Sequence, residues 1–359
     1  MLHAVGDRWG NIGTGALYVF SSKLIGYDII QGTYSVDGEG KNLELAIDAE
    51  LNAAAYNAMN GCKGTVAVAD CETGEIICMV SSPSYDPDNE PESFDSEEYE
   101  GAFLNRFLSA SLTPGSTFKL VTMAAAIENM PDLFDRSFTC EGSYSVGGDV
   151  VTCTGVHGSI DAEEALAVSC NCAFAQIALE LGSETLCEYA ERYGFTESFK
   201  IDGVKTVAGH FEAAPDGSVD LAWSGIGQFT DLVNPAAMLR FVSAIANGGK
   251  APELTMLKSS KTAKTDRIIN ADTAARLSEM MNYAVHRTYG TDNFPGITMY
   301  AKSGTAEVTG EQPHAWFTGY GVYGDRKLAF VVVLENGGYG SVMAGSVANT
   351  ILQKAFGLS

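Results

Sequence analysis

Apolar positions along this chain change period twice, and the two changes predict its layout. Residues 64–70 and 75–81 are valine- and isoleucine-rich runs on either side of Thr73-Gly74, which predicts a β-hairpin. The C-terminal portion returns to β, with 300–306, 315–323 and the apolar run 328–334, separated by Thr309-Gly310 and Gly324-Asp325, reading as adjacent antiparallel strands. Between these ends the pattern is helical. Asp48 caps a helix reaching about residue 59, and a Thr-Pro-Gly turn at 113–115 opens an Ala-rich helix through 129 that is too apolar on all sides to face water. Further helices are predicted over 160–181, 183–193, 235–246 and 272–286, and a last one over 342–356. Shorter strands are expected at 16–21, 32–36 and 43–47, and the Pro-, Asn- and acid-rich residues 82–100 read as a solvated loop. The fold class is therefore mixed, α+β within the broad α/β group: one antiparallel sheet built from both chain ends, with an all-α subdomain inserted between them.

Composition narrows what such a fold does. With 46% hydrophobic and 19% charged residues in 359, the chain is globular. A formal net charge of -23 argues against nucleic-acid or anionic-membrane binding, since both need a positive face. No apolar run approaches the roughly 20 residues of a membrane helix, and the first residues have neither the basic nor the apolar region of a signal peptide. The expectation is a soluble chain. Of the eight cysteines, Cys71 and Cys78 fall diagonal across the expected hairpin, at or beyond disulfide reach. Cys140 and Cys153, which bracket a short loop, are the better disulfide candidate. A zinc site is not expected, because no C-x-x-C pair occurs and no histidine follows at finger spacing. His3, His157, His210, His286 and His314 read as structural or exposed.

The candidate chemistry begins at Ser116-Thr-Phe-Lys119, on the first turn of the apolar helix. Residues three apart share a helix face, so a Lys119 amine can serve the Ser116 hydroxyl, and the helix N-terminus favours negative charge nearby. The same residues also fit a serine that caps a core helix and a lysine that snorkels outward. Two later motifs weigh against that reading: Ser169-Cys-Asn171, in the helical middle, and Lys302-Ser-Gly-Thr305, in the C-terminal sheet. Alone, the first could be small residues packing helices and the second a bulge on an edge strand. In this order and context they match the S-x-x-K, S-x-N and K-T-G set of penicillin-binding proteins and class A β-lactamases. A serine hydroxyl needs a base, and for Lys119 to be that base it must be neutral. Lowering a lysine from about 10.4 to about 7 takes about 4.6 kcal/mol against its charge, which burial and a second cation at Lys302 can supply.

The chain resembles the transpeptidase domain of class B penicillin-binding proteins. The resemblance extends to the hairpin and loop over 64–87, to Gly227-Gln228, Asn234-Pro235 and residues 246–249, and to Ala315-Trp-Phe-Thr-Gly-Tyr320. It implies a β-lactamase/transpeptidase-like fold over 42–359, with residues 1–41 the last part of an N-terminal pedestal. It also implies a D,D-transpeptidase that cross-links peptidoglycan stem peptides through a Ser116 acyl-enzyme and is acylated there by β-lactams. Ser169 would relay a proton between Lys119, Lys302 and the leaving amine, and Asn171 would bind Lys119 and the substrate amide. Ser303, Gly304 and Thr305 would form the substrate strand, with Thr305 on a carboxylate beside Lys302. The Ser116 and Thr305 backbone N–H groups would form the oxyanion hole, worth about 2.7 to 4 kcal/mol per donor. Ser303 stands where K-T-G has threonine and keeps the hydroxyl; Cys170 fills the free position of S-x-N. No metal and no organic cofactor is implied. A polytopic SEDS-type glycosyltransferase is the implied partner in the full-length protein. The implied location is the extracytoplasmic face of the bacterial cytoplasmic membrane, with a single-pass anchor upstream and a role in cell-wall growth, shape or division. Two alternatives stay open: a β-lactamase or D,D-carboxypeptidase, in which water resolves the acyl-enzyme, and a non-catalytic penicillin-sensing or scaffolding module.

Overall fold

The structure, a computed structural model, describes residues 1–28, 32–35, 39–259 and 263–358. Five antiparallel strands make the central sheet: β1 Gly64–Asp70, β2 Ile76–Ser82, β3 Thr298–Ala306, β4 His314–Tyr323 and β5 Arg326–Leu334. Their order, β3-β4-β5-β1-β2, joins the two chain ends at the β5/β1 ladder, from Leu328 opposite Asp70 to Leu334 opposite Gly64. The helices that bear on the site are α1 Ala49–Ala58, α2 Lys119–Asn129, α3 Ala162–Ala167, α4 Asn171–Arg192, α5 Pro235–Ala246, α6 Ala271–Ala284 and α7 Met343–Ala355.

The unbroken apolar run of β5 follows from burial on both faces. Phe330, Val332 and Leu334 pack with Val66 and Val68 under α1 and α7. Ala329, Val331 and Val333 turn the other way, into the larger core that holds Ala67, Met79, α2 and α5. One buried side chain fixes the start of α5. Asn234 caps α5, accepting from the Ala236 and Ala237 N–H groups, and its amide donates to the carbonyls of Phe107, Leu108 and Ala110 at 3.3, 3.2 and 2.7 Å. This ties the chain ahead of residue 113 to the start of α5.

Several expected elements differ. Residues 43–47 form no strand: Leu45 bridges Leu257 and the Ala46 N–H donates to the Met256 carbonyl, but the ladder stops there. Residues 16–21 are helical, Ala16–Val19 followed by Ser21–Ile25, stopped by Gly26 at φ 66. In residues 32–36 only Thr33–Tyr34 pairs, with Tyr27–Asp28, and Val36 lies outside the described residues. The helix expected over 160–181 is two, because the chain turns out of helical geometry at residues 168–170; α4 then bends at Gly182, where a boundary was predicted. α6 ends at Ala284 and runs into a single π turn, Val285–Tyr289.

Candidate active site

Ser116 sits on a 3-10 turn, Gly115–Thr117, that leads into α2. In a first turn its N–H has no intrahelical carbonyl to meet. The turn lies against β3 because glycines stand where the backbones cross. A Cβ on Gly304 would lie 2.7 Å from the Pro114 carbonyl and 3.0 Å from Thr117 Cγ2, and one on Gly115 would meet Ala306 and Thr305 at 3.0 Å. Gly115, at φ 53, is also in the left-handed region that favours glycine. The N–H of Gly115 donates to the Gly227 carbonyl at 2.9 Å, closing the turn from the other side.

Lys119 is fully buried, and its amine is directed at the second motif rather than at Ser116. It donates to the Ser169 carbonyl at 2.7 Å, to Asn171 Oδ1 at 2.7 Å and to Ser169 Oγ at 3.2 Å. The Ser116 hydroxyl makes no hydrogen bond among the described residues. Lys302, equally buried, donates to Ser169 Oγ at 2.9 Å and to the Ser303 carbonyl at 2.8 Å. Ser169 Oγ thus bridges two buried amines. Its backbone has φ 56, a left-handed conformation that a non-glycine residue holds only under constraint. Burial pushes Lys119 down to about 7, against the opposing pull of Cys153, Cys170 and Cys172. Burial first, and the Lys119 charge second, hold Lys302 well below its ordinary value. Desolvation, more than a second cation, therefore neutralises Lys119.

These groups open on a cleft of about 770 Å³ lined by Ser116, Ser169, Asn171, Ser303 and Thr305, with Trp223 and Phe229 on its walls. Lys302 lies beneath this surface. Asn171 Nδ2 is engaged with the Thr152 carbonyl at 2.8 Å, which leaves one amide hydrogen for a ligand. Tyr289 is a participant the sequence did not reveal. Its hydroxyl accepts from the Ser303 N–H at 2.9 Å and lies 3.0 Å from Ser303 Oγ, so the π turn after α6 braces β3 at the cleft wall.

A family model described as the penicillin binding protein transpeptidase domain matches residues 64–353. This chain belongs to that family. Among curated relatives, the peptidoglycan D,D-transpeptidase PbpA of Mycobacterium tuberculosis is 27% identical, over 89% of this chain and 73% of its own length. The peptidoglycan D,D-transpeptidase MrdA of Haemophilus influenzae is 25% identical, over 87% of this chain and 56% of its own. Among solved structures, the imipenem acyl-enzyme complex of penicillin-binding protein A from M. tuberculosis matches with a TM-score of 0.83 at 25% identity, covering 96% of this chain and 87% of that one. The fold is also that of Pseudomonas aeruginosa PBP2 in complex with WCK 5153, with a TM-score of 0.82 at 23% identity over 99% and 89% of the two chains. The β-lactamase/transpeptidase-like fold is thereby that of penicillin-binding transpeptidases.

In this transpeptidase fold the three motifs converge, and the cysteines do not behave as expected. Every cysteine among the described residues is a free thiol, so the Cys140–Cys153 bridge is not formed. Both sulfurs face His157 Nδ1, at 3.4 and 3.5 Å, and Cys153 Sγ lies 3.9 Å from Cys170 Sγ. His157, expected to be structural or exposed, is half-buried inside this cluster. No zinc site is expected from the sequence, for want of a C-x-x-C pair and of a histidine at finger spacing; the fold nonetheless brings Cys140, Cys153, His157 and Cys170 within 4.8 Å of one another.

Proposed function

We infer that the chain is a peptidoglycan D,D-transpeptidase that works through an acyl-enzyme at Ser116 and is blocked there by β-lactams. The observation that carries this reading is the hydrogen-bonded line Lys119–Ser169–Lys302 buried under a cleft that Ser116 enters. Two relatives bear the name peptidoglycan D,D-transpeptidase, and one structural neighbour is a β-lactam acyl-enzyme.

In the proposed mechanism neutral Lys119 takes the Ser116 proton as Ser116 Oγ attacks the carbonyl carbon of the penultimate D-Ala of a stem peptide. The Ser116 and Thr305 N–H groups meet the oxyanion, and Thr305 with Ser303 binds the terminal carboxylate. Collapse breaks the D-Ala–D-Ala amide. The leaving amine takes a proton through Ser169, which is resupplied from the lysine pair. An amine of a second stem then attacks the ester, forming the cross-link and restoring Ser116. The same reading puts a membrane anchor before residue 1, places the boundary between pedestal and transpeptidase near residue 41, and includes a polytopic glycosyltransferase partner; family resemblance supports these three. Among the described residues no helix is long and apolar enough to cross a membrane.

The test is labelling with a fluorescent penicillin, with Ser116→Ala as control, followed by chase with unlabelled drug. A long-lived adduct on the wild type that is absent from Ser116→Ala is expected. Absence of any adduct overturns covalent function, and release within seconds makes the protein a hydrolase.

A further inference from the structure

We propose that Cys140, Cys153, His157 and Cys170 bind one zinc ion, and that this ion fixes the Ser169–Asn171 turn under the catalytic lysines. The four ligand atoms lie within 4.8 Å of one another. A tetrahedral zinc with sulfur at about 2.3 Å and nitrogen at about 2.05 Å sets sulfur–sulfur pairs about 3.8 Å and sulfur–nitrogen pairs about 3.5 Å apart. The cluster has 3.9 Å for Cys153–Cys170 and 3.4 and 3.5 Å for the two contacts with His157 Nδ1. Those spacings are close to the edges of a coordination tetrahedron. A disulfide needs sulfurs about 2.05 Å apart and would leave a third thiol and the imidazole unused, whereas one cation uses all four. Three thiolates and one imidazole in a closed set select zinc among common divalent ions. Cys172 lies alongside but outside the mutually close four.

The ligands come from separate places in the fold. Cys140 ends the strand Phe138–Cys140, Cys153 follows the strand Asp149–Thr152, His157 precedes the strand Gly158–Ile160, and Cys170 caps α4 between Ser169 and Asn171. A shared ion would staple these two hairpins to the start of α4. Its neighbours already couple it to the site: the Asn171 N–H donates to Cys153 Sγ at 3.3 Å, and Asn171 Nδ2 donates to the Thr152 carbonyl at 2.8 Å. An N–H directed at a ligating sulfur is a familiar outer-shell contact of such sites. The four ligands position Ser169 and Asn171 and do not touch substrate.

The experiment measures metal content of the purified protein by mass spectrometry of the elements, together with penicillin acylation. About one zinc per chain is expected, lost in Cys153→Ser and His157→Ala, retained in His157→Cys, and unaffected in Cys62→Ser and Cys187→Ser. Cobalt exchanged into the wild type should show thiolate charge-transfer absorption and tetrahedral ligand-field bands; this readout holds even for a variant or preparation that does not acylate. Removal of zinc should slow acylation by at least about tenfold, and adding zinc back should restore it. Protein that binds neither zinc nor cobalt, or an intact Cys140–Cys153 disulfide in the peptide map, overturns the site. Full acylation by the zinc-free protein overturns its positioning role.

Discussion

Acylation of Ser116 should rise with pH and level off above about 7, because the base is an amine that burial holds at that value instead of 10.5. The displacement corresponds to about 5 kcal/mol against the charged form. Lys302 is lowered too, by burial and then by the charge of Lys119. A base of this pKa is neutral in about one tenth of molecules one pH unit below it and in about nine tenths one unit above. The second-order acylation constant, followed by stopped-flow fluorescence with a labelled penicillin, should therefore climb about tenfold across that span. Lys119→Arg should abolish acylation at every pH, since guanidinium stays charged. The same group should also leave a mark on stability. Between about 7 and 10.5 the unfolded chain holds a proton that folded Lys119 lacks, so this contribution to stability rises with pH in that window. Below about 7 the penalty is fully present. The difference in unfolding free energy between wild type and Lys119→Met should carry that slope. A pH-independent acylation constant, or an inflection near the ordinary lysine value, would refute the reasoning.

Three other perturbations probe the frame around the lysines. Ser169→Gly and Ser169→Ala both remove the bridging hydroxyl and should abolish acylation, but the glycine variant should be more stable by about 1 kcal/mol, since only it is at ease at φ 56; denaturant midpoints of the pair decide this. Gly304→Ala should destabilise the protein by about 1 to 3 kcal/mol and slow acylation at least about tenfold, because its Cβ would press 2.7 Å from the Pro114 carbonyl and move β3 away from the nucleophile turn. Tyr289→Phe strips the Ser303 N–H of its acceptor and should cost about 1 to 3 kcal/mol; in labelling it should weaken penicillin binding more than the rate from the bound state.

What could be read from the sequence divides along physical lines. The sheet was legible because β1, β2 and β5 owe their form to local apolar runs, and β5 is apolar at every position from Leu328 to Leu334. The three motifs were legible as chemistry: the expected contacts of Lys119 with Ser169 and Asn171 are made, and the Lys119 amine makes them rather than a hydrogen bond to Ser116. The break between α3 and α4 was not. Residues 165–175 contain no glycine or proline and read as one helix, yet the Ser169 carbonyl is held by Lys119 from another helix, a tertiary bond that competes with helix continuation. Tyr289 was invisible for a related reason, as it acts on Ser303 only because a π turn carries it across. The cysteine cluster spans residues 140 to 170: pairing of Phe138–Cys140 with Gly158–Ile160 brings Cys140 beside His157, while Cys153 comes from the end of Asp149–Thr152 and Cys170 from the start of α4, so only the fold draws its members together.

Ser169 to Asn171 is therefore where demands on stability and on chemistry meet. Two amines buried without partners would be too costly to keep, and one short turn supplies most of their acceptors: the Ser169 carbonyl, the Ser169 hydroxyl and the Asn171 amide oxygen. The turn can offer all three to one side only by leaving helical geometry, which is why Ser169 adopts a positive φ. A turn strained in this way needs support from behind. Asn171 finds it in Cys153 Sγ and the Thr152 carbonyl, and Cys170 lies within the four-ligand cluster. The burial that makes Lys119 a base and the support that holds its acceptors in place thus act on the same three residues, so a change to the cluster should be felt first in acylation, before the sheet.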